Sequence, residues 1–343
     1  MKIIFSLILF FLASLSFAEE NSVNVYAWPG VIPNSVIQQF EKETGIKVNF
    51  STFDSNETLY AKLRATKNAG YDVIEPSSYY IDRMRRQNML EKLDKNKLSY
   101  FKNLNPEFLN QSYDPHNEYS TPFIWGVTGI FINKNYPHSA AIKKWSDLWN
   151  KNYTDQLMLL NDAREVFSIA LKTLGYSAND ANSDHIKKAY LKLKELNPNI
   201  KLFNSDAVIS ILIDDDANLG MAWNGDAFKA KQEKAQIEFV YPEDGFVIWV
   251  DNFAITKNAP HRENAYKFLN FILRADVAQK IALDNLYPTA NRAAQNLLPE
   301  KIKNDPLVYP SHAILKRGEF QTDIPDSALA VYEKYWEELK MSE

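Results

Sequence analysis

Short apolar strands alternate with amphipathic helices along the chain, and this alternation restricts the fold more than any other feature of the sequence. The first cycle is a strand at 23–27 followed by a helix at 33–44, which Gly45 ends. A glycine in this place is typical of a helix C-terminus, because it adopts the left-handed backbone conformation without strain. The cycle continues with a strand, a helix and a strand at 46–53, 56–68 and 71–75. The pattern predicts an α/β fold in which helices cover both faces of a mostly parallel sheet.

The later part of the chain repeats this alternation. A strand at 157–160 leads into a helix, and a long strand is predicted at 246–255. Two further helices span 262–285, with a break between them near 274–276. A chain of 343 residues is long enough for two such α/β lobes, each with its own core.

The chain is expected to pass between the two lobes several times. We place the crossings near 126–133, near 244–249 and after 291. This predicts a first lobe from 19–128 plus 249–295 and a second lobe from 129–248 plus 296–343.

The N-terminus carries the features of an export signal. Lys2 supplies a positive charge, 3–15 is an almost uninterrupted apolar run, and Ser-Phe-Ala at 16–18 is a small-x-small cleavage site. The apolar run is shorter than the ~20 residues that cross a membrane as a helix. The chain has no cysteine, so no lipid can be attached through one at the cleavage site. We therefore predict a cleaved signal peptide at 1–18 and a mature protein that is soluble, unanchored and periplasmic.

Composition and motifs exclude several classes of function. A net charge of −4 and a pI near 5.9 do not supply the basic surface that nucleic-acid binding requires. The sequence has no glycine-rich phosphate loop, no nucleophile elbow and no thiol, and its five histidines lack metal-ligand spacing. Asp214 to Asp216 lack the alternating spacing and glycine of a calcium loop, so we interpret them as a solvated turn. We predict no nucleic-acid partner, no membrane insertion, no metal, no cofactor and no enzymatic activity.

Aromatic and acidic residues recur together near the predicted ends of strands and helices. In open α/β sheets, ligands bind beyond the carboxyl ends of the strands. The candidates in chain order are Trp28, Ser77, Tyr79, Asp162, Glu165, Trp223, Asp226, Trp249, Asp251 and Tyr287. Carboxylates pair with ammonium groups, while aromatic rings cover methylenes and attract a cation by about 0.5–2 kcal/mol per contact. This combination of residue types suits an organic polycation.

Structural roles also account for several of these residues taken singly. Asp162 and Glu165 have the D-x-x-E spacing of a helix capping box. Trp223 and Trp249 are large rings of the kind that fill a core. Asp251 is different, because it lies in an apolar strand and unpaired carboxylates are rarely buried.

A set of short segments in a fixed order gives a specific resemblance. They are 43–48 (ETGIKV), 55–58 (SNET), 76–80 (PSSYY), 162–167 (DAREVF), 203–206 (FNSD), 219–225 (LGMAWNG), 287–289 (YPT) and 318–321 (GEFQ). Over nearly its whole mature length, the chain resembles the spermidine/putrescine-binding proteins of bacterial polyamine ABC importers. The resemblance implies a two-lobed, class II-like periplasmic binding protein fold with the ligand in the interlobe cleft. We accordingly predict a monomer that captures a polyamine and delivers it to an inner-membrane permease with its ATPase subunits.

Carried over position by position, the resemblance implies which residues contact the polyamine. The implied ring contacts are Trp28, Tyr79, Trp223, Trp249 and Tyr287. The implied ammonium acceptors are Asp162, Glu165 and Asp251, and the implied supporting polar contacts are Ser77, Ser205 and Gln321. Asp162 and Glu165 can serve as cap residues and as ligand contacts at the same time.

The chain departs from the family pattern at two places. After Trp28, family members usually carry a hydroxyl residue, an acid and a tyrosine, whereas this chain has Pro29, Gly30 and Val31. Conversely, Asp226 stands where spermidine-preferring members tend to have serine, and the putrescine-preferring branch is similar to this chain there. Two interpretations of Asp226 stay open. It either replaces the missing acceptor and favours putrescine, or it caps a helix that begins near 227.

Three other functions remain open at this level. Adjacent tyrosines such as Tyr79 and Tyr80 are used by ferric-ion receptors, although the aromatic residues around them disfavour that interpretation. A periplasmic enzyme that acts on amines is disfavoured by the missing nucleophile and cofactor motifs. A polyamine sensor that reports to a membrane partner has the same sequence features as a transport receptor, so the residues do not separate the two.

Overall fold

The computed structural model describes residues 21–66 and 69–341, so the predicted signal peptide at 1–18 lies outside the described residues. These residues form ten β-strands: β1 (Ser22–Ala27), β2 (Lys47–Thr52), β3 (Val73–Ile74), β4 (Ser120–Asn133), β5 (Leu157–Leu159), β6 (Ile200–Phe203), β7 (Leu219–Trp223), β8 (Ile237–Val240), β9 (Phe246–Ile255) and β10 (Gly318–Phe320).

The same residues form thirteen α-helices: α1 (Asn34–Thr44), α2 (Asn56–Ala65), α3 (Ser78–Arg86), α4 (Ala163–Thr173), α5 (Ser183–Leu196), α6 (Val208–Ile213), α7 (Asn224–Glu233), α8 (Arg262–Ile272), α9 (Ala275–Asn285), α10 (Arg292–Leu297), α11 (Glu300–Lys303), α12 (His312–Leu315) and α13 (Asp326–Lys340). Short 3₁₀ turns lie at Lys95–Lys97, Phe101–Asn103, Pro106–Phe108, Ser139–Ala141, Trp145–Trp149, Lys151–Tyr153 and Asn197–Asn199. Within the described ranges, none of the helices combines the length and the apolar character that a membrane crossing requires.

The strands form one sheet in the order β2-β1-β3-β9-β4-β7-β5-β6, with β10 beside β9 and β8 beside β4. Pairing is parallel in one wing, β2-β1-β3, and in the other wing, β7-β5-β6. At the centre, β9 and β4 run antiparallel to each other and to the adjoining strands β3 and β7. The prediction of a mostly parallel sheet is therefore correct for the wings and wrong for the centre. There β9 runs antiparallel to β3, β4 runs antiparallel to β7, and the two strands run antiparallel to each other.

β4 belongs to both wings. Its residues 120–127 pair with β9, and its residues 128–133 pair with β7 and β8. One core, which includes the fully buried Phe40, packs β1 and β3 against α1, α8 and α9. A second core, which includes the fully buried Phe167, packs β5 and β7 against α4, α5 and α13. Two cores joined by shared central strands form a two-lobed α/β fold, while the predicted lobe boundaries stay a prediction.

Local signals in the sequence placed several elements correctly. The strand predicted at 246–255 is β9, and the break predicted near 274–276 separates α8 from α9. α1 is followed, as predicted, by Gly45, whose φ of 68° is left-handed. These elements matter for function because their ends carry the residues described next.

Candidate ligand-binding site

Most of the predicted site residues lie at the carboxyl ends of strands in both wings. Trp28 follows β1, Ser77 and Tyr79 follow β3, Asp162 and Glu165 follow β5, Trp223 ends β7, and Trp249 and Asp251 lie in β9. Contacts between the wings bring these ends together. The Arg164 guanidinium lies 5.9 Å from the centre of the Tyr79 ring, and the Tyr287 hydroxyl donates to Asp226 Oδ1 at 2.6 Å. The strand ends of the two lobes therefore face each other.

The Asp251 side chain is fixed by a short network of hydrogen bonds that includes Ser77 and Asn56. Ser77 Oγ donates to Asp251 Oδ1 at 2.6 Å, across an isolated antiparallel bridge between the two residues. Asn56 fixes Ser77 in turn, because its Nδ2 donates to Ser77 Oγ at 3.1 Å and its Oδ1 accepts from Ser77 N at 3.0 Å. Asn56 also donates to the Tyr79 hydroxyl at 3.2 Å. Burial raises the pKa of Asp251 to about 7, with the Ser77 hydroxyl opposing this effect.

Asp162 and Glu165 occupy the start of α4. Asp162 is the N-cap, and its Oδ1 accepts from Glu165 N at 3.0 Å, so the predicted cap is confirmed. Glu165 completes no capping box; its Oε2 is buried without a hydrogen-bond partner. Burial and the Asp162 charge raise the pKa of Glu165 to about 8, while the Thr128 hydroxyl and the Arg164 guanidinium lower it. A helix cap therefore accounts for Asp162 and leaves the Glu165 carboxyl unexplained.

Asp226 is not the N-cap of a helix that begins near 227. α7 begins at Asn224, so half-buried Trp223 occupies the N-cap position and Asp226 lies in the first turn. The carboxylate of Asp226 accepts a hydrogen bond from the Tyr287 hydroxyl. Burial raises the pKa of Asp226, and the Tyr287 hydrogen bond and the Lys229 charge oppose this effect. The cap interpretation is wrong because the helix starts three residues earlier than the sequence pattern indicated.

Aromatic rings lie close to these carboxylates. Trp249 and Tyr287 pack edge to face with their ring centres 5.5 Å apart. Trp28 packs against the neighbouring core, and the indole nitrogens of Trp28 and Trp249 are buried without hydrogen-bond partners. Two glycines leave room for these rings: a Cβ on Gly126 would lie 2.2 Å from the Trp249 ring, and one on Gly225 would lie 2.3 Å from the Tyr287 ring. Any larger residue at Gly126 or Gly225 would therefore clash with the Trp249 or Tyr287 ring.

Two other predicted residues make contacts of a different kind. Ser205 Oγ accepts from Asn161 N at 2.9 Å and so supports the loop immediately before Asp162. Gln321 is buried, its backbone N donates to Ile248 O at 3.1 Å, and its backbone O accepts from Ser78 Oγ at 2.8 Å. The hydrogen bonds of Ser205 therefore place a loop, and those of the Gln321 backbone join the segment after β10 to β9 and to the start of α3.

Sequence reasoning missed two polar residues of this region. Asn56 is buried at the start of α2 and orients Ser77 and Tyr79, as described above. Glu75 follows β3 and is completely buried. The argument that singled out Asp251, an acid adjoining an apolar strand, applies equally to Glu75 and would have found it.

The described residues give no support to a metal centre. Among them, no group of three or more His, Cys, Asp or Glu side chains could hold a metal ion. The adjacent tyrosines have separate partners, because Asn56 donates to the Tyr79 hydroxyl and the Tyr80 hydroxyl donates to Glu57 Oε1 at 3.1 Å.

The fold and the site define a two-lobed solute-binding protein. A family model described as bacterial extracellular solute-binding protein matches residues 35–310. The chain belongs to this family of bacterial extracellular solute-binding proteins.

Curated relatives and solved structures agree with this assignment. The chain is 45% identical to the spermidine/putrescine-binding periplasmic protein of Escherichia coli (strain K12) over 322 residues, which cover 94% of this chain and 92% of the relative. It is 31% identical to a putrescine-binding periplasmic protein of Pseudomonas aeruginosa, over 96% of this chain and 94% of the relative. The structure of the spermidine/putrescine ABC transporter substrate-binding protein from Streptococcus pneumoniae superposes with a TM-score of 0.82 at 34% identity, over 94% of this chain and 99% of that chain. The resemblance inferred from the sequence is confirmed.

Proposed function

We propose that this protein is a periplasmic receptor that binds a polyamine, spermidine or putrescine, and delivers it to an ABC importer of the inner membrane. The observation that carries the proposal is a group of carboxylates beside aromatic rings. Glu165, Asp226 and Asp251 are buried, and none of them forms a salt bridge to a Lys, Arg or His of the described chain. Relatives named for spermidine and putrescine binding support the polyamine class.

Electrostatics favours an organic polycation as the missing partner. Burying a charged carboxylate without a counter-charge costs several kcal/mol of desolvation free energy. Ammonium groups of a polyamine would supply the counter-charges to Asp162, Glu165, Asp226 and Asp251. The methylenes between the ammonium groups would pack against rings such as Trp249, and this packing would remove the apolar surface of the ligand from water.

The two-lobed fold supports the proposed delivery to the importer. Closure of the lobes around the ligand excludes water from the carboxylates, and the closed shape is the form that a permease with its ATPase subunits would recognise. In this proposal the receptor acts as a soluble monomer after removal of its signal peptide.

Calorimetric titration of the purified protein with putrescine, spermidine and cadaverine tests the proposal directly. We expect saturable binding of at least one of them, and native mass spectrometry of the purified protein should show which polyamine it carries. Absence of heat with all three would contradict the function. A charge-transfer colour with iron would favour a ferric-ion receptor, and a product detected after long incubation with amines would favour an enzyme.

Polyamine binding should quench or shift the tryptophan fluorescence, because the proposal puts Trp28, Trp223 and Trp249 in contact with the ligand. Emission spectra recorded along the same titration check this prediction. Binding that produces heat without any change in emission would show that the polyamine contacts other surfaces.

The Asp226→Ser variant should lose about tenfold or more in putrescine affinity, with a smaller loss for spermidine. The reason is that Asp226 provides an additional acceptor on the second lobe, which brings the acceptors closer together and suits a shorter diamine. Competition titrations with both polyamines measure the two changes.

The matched control for this prediction is Tyr287→Phe. It removes the hydrogen bond to Asp226 at 2.6 Å and leaves the carboxylate in place. We expect Tyr287→Phe to affect the two polyamines alike. Equal losses for both ligands in Asp226→Ser would mean that Asp226 only positions Tyr287, and the selectivity hypothesis would fail.

A further inference from the structure

Glu75 is a completely buried acid that is not among the predicted ligand contacts. Its backbone N donates to Tyr26 O at 3.1 Å, so the chain is still aligned with β1 at this point. Two residues later, Ser77 bridges to Asp251 on β9. Because residues two apart in an extended chain share a face, Glu75 lies on the same side of the sheet as Ser77 and Asp251.

The carboxylate of Glu75 has only part of the hydrogen bonding that a buried carboxylate requires. Oε2 accepts from Trp28 N at 3.2 Å, whereas Oε1 is buried without a hydrogen-bond partner. No Lys, Arg or His of the described chain forms a salt bridge to it. Burial, and after it the nearby Asp251 charge, raises the pKa of Glu75 well above the usual range of a carboxyl group. Two neighbouring carboxylates without a cation are unstable in their charged form.

The segment at 28–31, which contacts Glu75 through Trp28 N, contains no acidic residue. Trp28 is followed by Pro29, Gly30 and Val31, none of which carries a charge. The hydrogen bond from Trp28 N places the Glu75 carboxylate next to the start of this segment. The unpartnered indole nitrogen of Trp28 belongs to the same end of the cleft.

We propose that Glu75 is a further ammonium acceptor, which together with Asp251 holds one end of the polyamine beside Trp28. This inference rests on the proposed function and deepens it. A primary ammonium group has three N–H donors, which match Glu75 Oε1, a carboxylate oxygen of Asp251 and one further acceptor. An amine end that is acylated has no charge and only one N–H donor in place of three, so this end of the cleft selects for a free primary amine.

Glu75→Gln is the decisive variant, because it removes the charge and keeps an oxygen that can accept from Trp28 N. We expect its Kd for putrescine to rise by about tenfold or more. The unfolding temperature of the empty protein should stay the same or rise, since a buried acid is replaced by a neutral group. Glu75→Asp, which keeps the charge on a shorter side chain, should bind more tightly than Glu75→Gln.

Glu91→Gln is the matched control, since Glu91 pairs with Arg262 at 3.0 Å and lies near the far end of β9. It should change the Kd by less than about twofold. If the wild type binds polyamines and Glu75→Gln binds them equally well, the role of Glu75 is refuted and the receptor function stands. If the wild type binds none, both fail. A Glu75→Gln variant that loses stability and affinity together, without recovery in Glu75→Asp, would show a purely structural role.

Discussion

Asp251→Asn is expected to weaken the binding of both putrescine and spermidine by about 2–5 kcal/mol, which makes it the most damaging single substitution in the cleft. The substitution leaves a desolvated ammonium group without its charged partner. The Ser77 hydroxyl, which donates to Asp251 Oδ1 at 2.6 Å, can still donate to the amide oxygen, so the local fold is retained. Calorimetric titration gives the change in affinity.

The control is Asp214→Asn, which makes the same chemical change at an exposed position at the end of α6. We expect the affinity of this variant to stay within about 0.5 kcal/mol of the wild type. Thermal unfolding of the empty proteins provides the second comparison, because Asp251→Asn removes a buried carboxyl and should not lower the unfolding temperature. Equal affinities for the two variants would assign Asp251 a structural role.

Local sequence signals were sufficient for the elements that carry the site. The apolar run at 246–255 predicted β9, and the D-x-x-E spacing correctly placed Asp162 as the N-cap of α4, although Glu165 does not complete the box. Both signals depend on residues within a few positions of one another, and such patterns follow from the geometry of a single helix or strand.

Features that depend on distant residues could not be predicted in the same way. The antiparallel direction of β4 and β9 depends on how the chain crosses between lobes, which strand periodicity does not encode. The start of α7 at Asn224 depends on tertiary contacts, because the Asn224 side chain accepts from Val127 N at 3.0 Å. The unpartnered Oε1 of Glu75 becomes apparent only when every neighbour of a buried atom is known.

The affinity for polyamines should rise by about tenfold or more between pH 6 and pH 8. The pKa of Asp251 is raised to about 7 and that of Glu165 to about 8, in each case mainly by burial. Binding requires both groups as carboxylates, so at pH 6 the ligand must displace protons from both, whereas at pH 8 Asp251 is mostly ionised and Glu165 is about half ionised. The amines keep their protons over this range, because primary ammonium groups have pKa values near about 10.

The stability of the empty protein should change in the opposite direction. Both carboxyl groups have higher pKa values in the folded than in the unfolded protein, so their contribution to the free energy of unfolding is largest below about pH 4. It is lost as the pH rises through about 7 for Asp251 and about 8 for Glu165. The stabilisation by saturating putrescine should therefore be larger at pH 8 than at pH 6, as measured by thermal unfolding. In Glu165→Gln the pH dependence of affinity should be weaker than in the wild type. A flat wild-type profile would show that the carboxyl groups are already ionised before the ligand arrives, as in an open, hydrated cleft.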